Sequence, residues 1–150
     1  MKKIKVTAVF DIGKTNKKFF LFDQYYREVH KEYIRFEEVE DEDGHPTEDL
    51  LALQQWLKDV FHRILDNSKY DVKAINFSSY GASLVHVDEN GNPLIPFYNY
   101  TKSLPKETVA FFLNQYGPKE TFLKATGCGG LNMLNSGLQV FWIKKTKPGL

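Results

Sequence analysis

Cysteine is almost absent: Cys128 is the only one in 150 residues, so no disulfide can form within the chain, and its thiol is expected to be inert. An excess of either charge is absent as well. Twenty Lys plus Arg against 19 Asp plus Glu leave a net charge of +1, which excludes the basic footprint of nucleic-acid or anionic-membrane binding. No apolar run approaches the ~20 residues of a membrane span. The charged start, Met1-Lys2-Lys3, lacks the apolar core of a leader. Repeats and low-complexity stretches are missing too, so a soluble, cytoplasmic protein is the expectation.

What is there suits a folded domain. Hydrophobic residues make up 42% and aromatics 15% of a chain about one domain long, enough to bury a core. Ile4, Val6, Ala8 and Phe10 alternate with Lys5, Thr7 and Val9, which predicts a strand ending at Asp11. Gly13-Lys14-Thr15 follows and looks like the tail of a Walker A loop, G-x-x-x-x-G-K-[ST]. That motif needs glycine where Ala8 stands, and a helix after it. Instead Phe19-Phe20-Leu21-Phe22 read as a buried strand. Residues 9 to 23 are therefore strand, tight turn, strand. Such a turn can cradle phosphate: Gly13 permits close backbone approach, successive N–H groups make an anion nest, and Lys14, Thr15, Asn16 and Lys18 add donors. Asp11 is placed to hold Mg²⁺ through water. An ordinary glycine-containing hairpin with surface lysines fits the spacing equally well.

Residues 28 to 36 predict a third strand, followed by an acidic loop, EEVEDEDGHPTED. Aligning Gly44 with the EF-hand glycine puts Val39 and Leu50 at ligand positions, so a solvated loop is expected rather than a calcium site. Thr47 is the expected N-cap of a helix to about Asp66, with Glu48 and Asp49 in its first turn and Leu50, Leu53, Leu57, Val60, Phe61 and Ile64 on one face. A strand from Val72 to Phe77 runs into Ser78-Ser79-Tyr80-Gly81. A hairpin is predicted next, Leu84 to Val87 and Leu94 to Tyr98 about the Asn90-Gly91 tip. Then come helices: one capped by Ser103 with Pro105 in its first turn and stopped at Gly117-Pro118, one over 119 to 125 ending at Gly127, and one from Ser136 to about Lys145. His30, His45, His62 and His86 stand singly, without metal-ligand spacing. Asp59, Asp66, Asp71 and Asp88 fall at turns or on a polar helix face, where solvated roles are expected.

This order resembles the actin-like, ribonuclease-H-like ATPase domain: an α/β fold whose mixed sheet has three antiparallel-type leading strands, with flanking helices. Asp11-Ile12-Gly13-Lys14-Thr15-Asn16-Lys17-Lys18 is similar to that superfamily's first phosphate loop, D-x-G-T-T-x-x-[KR]. The stretch INFSSYGASLVHVDENGNPLIPFYNYTKS, 75 to 103, and KATGCGGLNMLNSGLQVFWIKK further on resemble the FGGY carbohydrate kinases. The chain departs from their P-x-x-x-W-x-D-x-R segment with Tyr98, Tyr100 and Lys102, and Lys14 replaces a threonine of the phosphate loop.

The resemblance implies residues 1–150 as the first-lobe portion of a sugar kinase, apparently incomplete, with the second lobe absent. It implies ATP and Mg²⁺ as cofactors and phosphorylation of a sugar hydroxyl. Phosphate binding falls to Asp11, Gly13, Lys14, Thr15, Asn16 and Lys18, with Asp11 toward the metal. Sugar binding falls to Ser79, Tyr80, Gly81, Tyr98 and Asn99, with Tyr80 and Tyr98 also readable as core aromatics. The general-base aspartate is expected beyond Leu150, so the 150 residues alone are expected to be inactive. A homodimer is possible for the full-length enzyme. Type III pantothenate kinases match residues 9 to 23 nearly as well but leave the later stretches unexplained. A non-catalytic actin-like module is the other open reading.

Overall fold

The structure, a computed structural model, describes residues 2–129 and 132–150. The chain divides into two compact units, one made of the residues up to Val39 with Glu48–Tyr80, the other of Glu40–Thr47 with Gly81–Leu150.

The first unit is a four-stranded sheet in the order β3-β2-β1-β6: β1 (Ile4–Ile12), β2 (Lys17–Asp23), β3 (Glu28–Ile34) and β6 (Tyr70–Ser79). The first three strands are antiparallel, and β6 runs parallel to β1 after helix α1 (Leu50–Leu65). The sheet is thus mixed, with three antiparallel leading strands, as expected. The period of two decides what is buried. Val6, Ala8 and Phe10 of β1 and Phe19 and Leu21 of β2 face a core closed by Val60 and Ile64 of α1 and by Tyr70. Phe10 centres this core, its ring 4.8 Å from Phe19, 5.1 Å from Phe77 and 5.7 Å from Trp56. The apolar run of β2 is buried on one face only: Phe20 and Phe22 lie on the opposite face, half-buried.

The second unit is built on helices α2 (Lys106–Tyr116), α3 (Lys119–Thr126) and α4 (Ser136–Thr146), with a 3₁₀ turn at Asn132–Leu134. Tyr98, Leu104, Met133, Leu138, Trp142 and Ile143 form its core. Phe112 meets Phe122 and Phe141 edge-on, at 5.1 Å each. Phe111, stacked on Phe141, is 48% exposed. A short ribbon of β4 (Val39–Glu40) and β5 (Pro46–Thr47) interrupts the acidic stretch. Cys128 is exposed. Among the described residues no helix is long and apolar enough to cross a membrane.

Four expectations need correction. Asp49, not Thr47, caps α1: its carboxylate accepts the N–H groups of Leu51 and Ala52 at 3.0 and 2.9 Å, while Thr47 Oγ1 donates to the Phe97 carbonyl at 2.5 Å. α2 begins after Pro105 with no side-chain cap, so Ser103 does not cap it. The segment from Leu84 to Tyr98 is not a strand hairpin. It makes one isolated bridge, Val87 to Pro93, because Asp88 takes the N–H groups of Asn90 and Asn92 and Pro93 and Pro96 cannot donate to a ladder. The acidic stretch is not uniformly solvated either, since Asp41 and Glu48 are buried. The later helices fall where expected: α3 ends at Gly127, which takes the left-handed conformation, and α4 follows Asn135. Gly130 and Leu131 lie outside the described residues.

If Asp49 is the cap, Asp49→Ala is expected to lower the free energy of unfolding by about 1 kcal/mol, measured by urea titration, through two unsatisfied amides at the start of α1.

Candidate functional site

The phosphate-binding candidates come together in the first unit. β1 and β2 are joined by the turn at residues 13 to 16, closed by the Gly13 N–H donating to the Asn16 carbonyl at 3.1 Å. A Cβ on Gly13 would stand 2.8 Å from that carbonyl oxygen, so the turn's tightness requires glycine. Thr15 and Asn16 are exposed. Asp11 and Lys18 are register partners across the hairpin, and their side chains pair at 3.0 Å, each about one-third exposed. Lys14 reaches Glu38 at 2.8 Å, and this contact, with its charge, holds the Glu38 carboxyl below the usual glutamate range. Of the basic side chains assigned to phosphate, both therefore have carboxylate partners.

Under the turn lies a residue that the sequence reading passed over. Lys17 is 1% exposed, and its ammonium sits 2.6 and 2.7 Å from the two carboxylate oxygens of Glu48 and donates to the Lys14 carbonyl at 2.9 Å. Tyr80 Oη donates to the same carboxylate at 3.1 Å. The available signal was parity: Lys17 shares its strand face with Phe19 and Leu21.

The sugar-binding candidates divide between the units. Ser79 and Tyr80 end the first, with Ser79 Oγ donating to the Tyr80 carbonyl at 2.9 Å; Gly81, Tyr98 and Asn99 belong to the second. Tyr98 is 3% exposed, a core aromatic set edge-on against Trp142 at 4.8 Å. Its hydroxyl donates to Glu42, and burial together with that carboxylate pushes the phenol pKa well up. Asn99 is buried, and its Oδ1 accepts from the N–H and the hydroxyl of Thr101 at 3.1 and 3.2 Å. The backbone after Gly81 is fixed by another residue that sequence did not single out. The buried Gln139 donates through Nε2 to the carbonyls of Ala82 and Met133, and Ala82 has φ 57°, a strained value for a residue with a Cβ.

Lys102, one of the departures from the family pattern, organises the acidic excursion. It lies 2.6 Å from both Asp41 and Asp43 and 4.9 Å from the centre of the Tyr98 ring. Asp41 has no exposed side-chain surface; burial opposes its charge, but bonds from Lys102 and from the N–H groups of His45 and Asp43 hold its pKa below 3.8. Burial likewise works against Lys102, and the two aspartates outweigh it, raising its pKa above 10.5. Among the described residues no three His, Cys, Asp or Glu side chains group as metal ligands. A carboxylate such as Asp11 is compatible with Mg²⁺, which commonly takes one or two carboxylates and completes its shell with water and phosphate.

Residues 6–150 match the N-terminal domain of the FGGY family of carbohydrate kinases. No curated protein matches the chain. Among solved structures, a carbohydrate kinase from Novosphingobium aromaticivorans is 28% identical, with a TM-score of 0.81 over 99% of this chain and 30% of that one. A ligand-bound xylulose kinase from Lactobacillus acidophilus is 16% identical with a TM-score of 0.77, covering 97% of this chain and 29% of that one. For Plasmodium falciparum glycerol kinase with ADP the values are 18%, 0.76, 98% and 30%. The chain thus spans about three-tenths of the length of the structures it resembles.

The Lys102 cluster generates a pH dependence. A carboxyl that ionises more readily folded than unfolded stabilises fully above its unfolded value and loses that contribution as pH falls through its lower folded value. Stability is therefore expected to fall as pH drops below about 3.8, the ordinary aspartate value. For Lys102 the sign reverses, and its contribution is lost as pH rises through a folded value above 10.5. Lys102→Met is expected to move the acid-unfolding midpoint to higher pH, followed by circular dichroism.

Proposed function

Because the chain belongs to the FGGY family of carbohydrate kinases, we propose that it supplies the phosphate turn and part of the sugar site of an enzyme that transfers the γ-phosphoryl group of ATP to a sugar hydroxyl. The observation that carries this is the paired Asp11 and Lys18 at the mouth of a glycine-dependent turn, one-third exposed, opposite in charge and directly across the hairpin. Family membership favours this reading over a pantothenate kinase.

Phosphoryl transfer depends chiefly on positioning and on neutralising the phosphate oxygens. The sugar oxygen attacks the γ-phosphorus, the bond to the β–γ bridging oxygen breaks, and ADP leaves. The backbone of residues 13 to 16 and the Thr15 hydroxyl would bind phosphate oxygens, with Lys18 adding charge. Asp11 would hold Mg²⁺ through water, and the metal, when bound, neutralises phosphate charge. Ser79, Tyr80 and Gly81 would meet the sugar. Tyr98, buried behind Lys102 and Trp142, would serve as a wall rather than an open plate, with Asn99 shaping the loop that carries it.

The base that takes the hydroxyl proton is not assigned to this chain. Glu48, the carboxylate that accepts from Tyr80 Oη, has both its oxygens against the Lys17 ammonium. An aspartate beyond Leu150 is proposed instead.

The test is ADP release by the full-length protein with MgATP and a panel holding xylulose, glycerol, pentoses, hexoses and deoxysugars. One sugar is expected to stimulate release, and Asp11→Asn to lower kcat/KM about a hundredfold, near 2.7 kcal/mol of transition-state stabilisation. A variant within about threefold of wild type would take Asp11 out of the site. A wild-type protein that no sugar stimulates would favour the non-catalytic module.

A further inference from the structure

A lysine ammonium that is 1% exposed is unusual, because burying a charge costs several kcal/mol unless it is fully paired. Lys17 is fully paired. Its ammonium has three hydrogens to donate, and its acceptors are the two Glu48 oxygens, at 2.6 and 2.7 Å, and the Lys14 carbonyl, at 2.9 Å. Stability alone does not call for this arrangement, since well-packed apolar residues in place of a buried ion pair are often neutral or stabilising. What an apolar pair could not do is take hold of the Lys14 carbonyl. That bond has a geometric consequence. The peptide unit is planar and trans, so the carbonyl of Lys14 and the N–H of Thr15 point in opposite directions. With the carbonyl turned toward Lys17 inside the unit, the Thr15 N–H faces away from it, out of the turn.

We infer that Lys17 and Glu48 are positioning residues for nucleotide phosphate: the buried pair holds the Lys14 carbonyl inward and thereby presents the Thr15 N–H to a phosphate oxygen. The inference rests on the kinase reading above. Neither residue touches the phosphate; both act through the backbone of the turn. Glu48 is the fixed end of the device, since it follows Thr47 and precedes the α1 cap, Asp49, and also accepts from Tyr80.

The test uses the full-length protein with MgATP and the sugar that stimulates it. In the double variant Lys17→Met/Glu48→Gln both charges are removed, side-chain volumes are kept, and the introduced amide oxygen still accepts from Tyr80. It is expected to raise KM for ATP about tenfold or more while leaving KM for sugar within about twofold, a split that general loosening of the fold would not produce. The reversed pair, Lys17→Glu/Glu48→Lys, restores the ion pair but sets a carboxylate against the Lys14 carbonyl. It is expected to recover thermal stability without recovering ATP affinity, whereas a pair that matters only for stability would recover both. An unchanged KM for ATP in the double variant, or its recovery in the reversed pair, overturns the inference.

Should neither variant fold, the wild type decides. With ¹⁵N-labelled lysine, the Lys17 ammonium signal is expected to exchange slowly with solvent and to shift when Mg²⁺ and a non-hydrolysable ATP analogue bind. A fast-exchanging or unmoved signal overturns the inference. A wild type without sugar-dependent ADP release removes the kinase reading and this inference together, while an active wild type with unaffected variants removes this inference alone.

Discussion

A buried ammonium must find a buried carboxylate, and that requirement organises the first unit. The Lys17–Glu48 pair joins the first residue of β2 to the residue just before the cap of α1, 31 positions later in the sequence. The same carboxylate accepts from Tyr80, just past the end of β6, and the same ammonium holds the turn between β1 and β2. Three chain segments thus converge on one charge pair. In a low-dielectric interior, losing either partner would leave a charge with no compensation, so the three segments are held as a set. The apolar core of Phe10, Phe19, Leu21, Val60 and Ile64 supplies burial, but burial is indifferent to a small slide of one element. The pair is not, because hydrogen bonds fix distance and direction.

A similar logic runs through the second unit with different residues. Where the family pattern has tryptophan, this chain has Tyr98, and a buried tyrosine needs a partner for its hydroxyl. Glu42 supplies it and is itself bonded to Lys147 at 3.1 Å. Where the pattern has arginine, Lys102 gathers Asp41 and Asp43 and sits over the Tyr98 ring. Lysine lacks the planar fork of arginine but can place one charge between two carboxylates. These departures form one network that ties Tyr98 and Lys102 to the 40–47 excursion.

Much of the fold was legible because the strands obey a period of two and α1 a period near 3.6, signals that depend only on neighbours. The errors came where a distant residue decided the outcome. Thr47, Glu48 and Asp49 are all plausible at a helix start; Thr47 is claimed by Phe97 and Glu48 by Lys17, which leaves Asp49 to cap. The segment around Asn90-Gly91 does turn, but the Asp88 carboxylate draws in the amides that a ladder would need. The phosphate candidates from Asp11 to Lys18 lie around one turn because they are contiguous in sequence. Lys17 was overlooked among Lys14, Lys17 and Lys18, which look equivalent until the strand alternation is followed one residue further back from Phe19.

That alternation gives the two adjacent lysines opposite tasks. Lys17 points to the core face and its charge is spent on Glu48; Lys18 points to the other face, where Asp11 is its register partner. An exposed pair of this kind contributes little to stability, because water solvates the separated charges nearly as well. Weakness is useful at such a position. Under the proposed roles, a carboxylate that would hold a hydrated divalent ion and a lysine that would approach phosphate need to leave one another at small cost, and a one-third-exposed pair at 3.0 Å meets that condition. The inner pair, sealed from water, meets the opposite one. In the proposed site it would keep the turn in one shape while charges on the outer face rearrange, so that two adjacent residues of a single strand would divide the rigid part of the site from its exchangeable part.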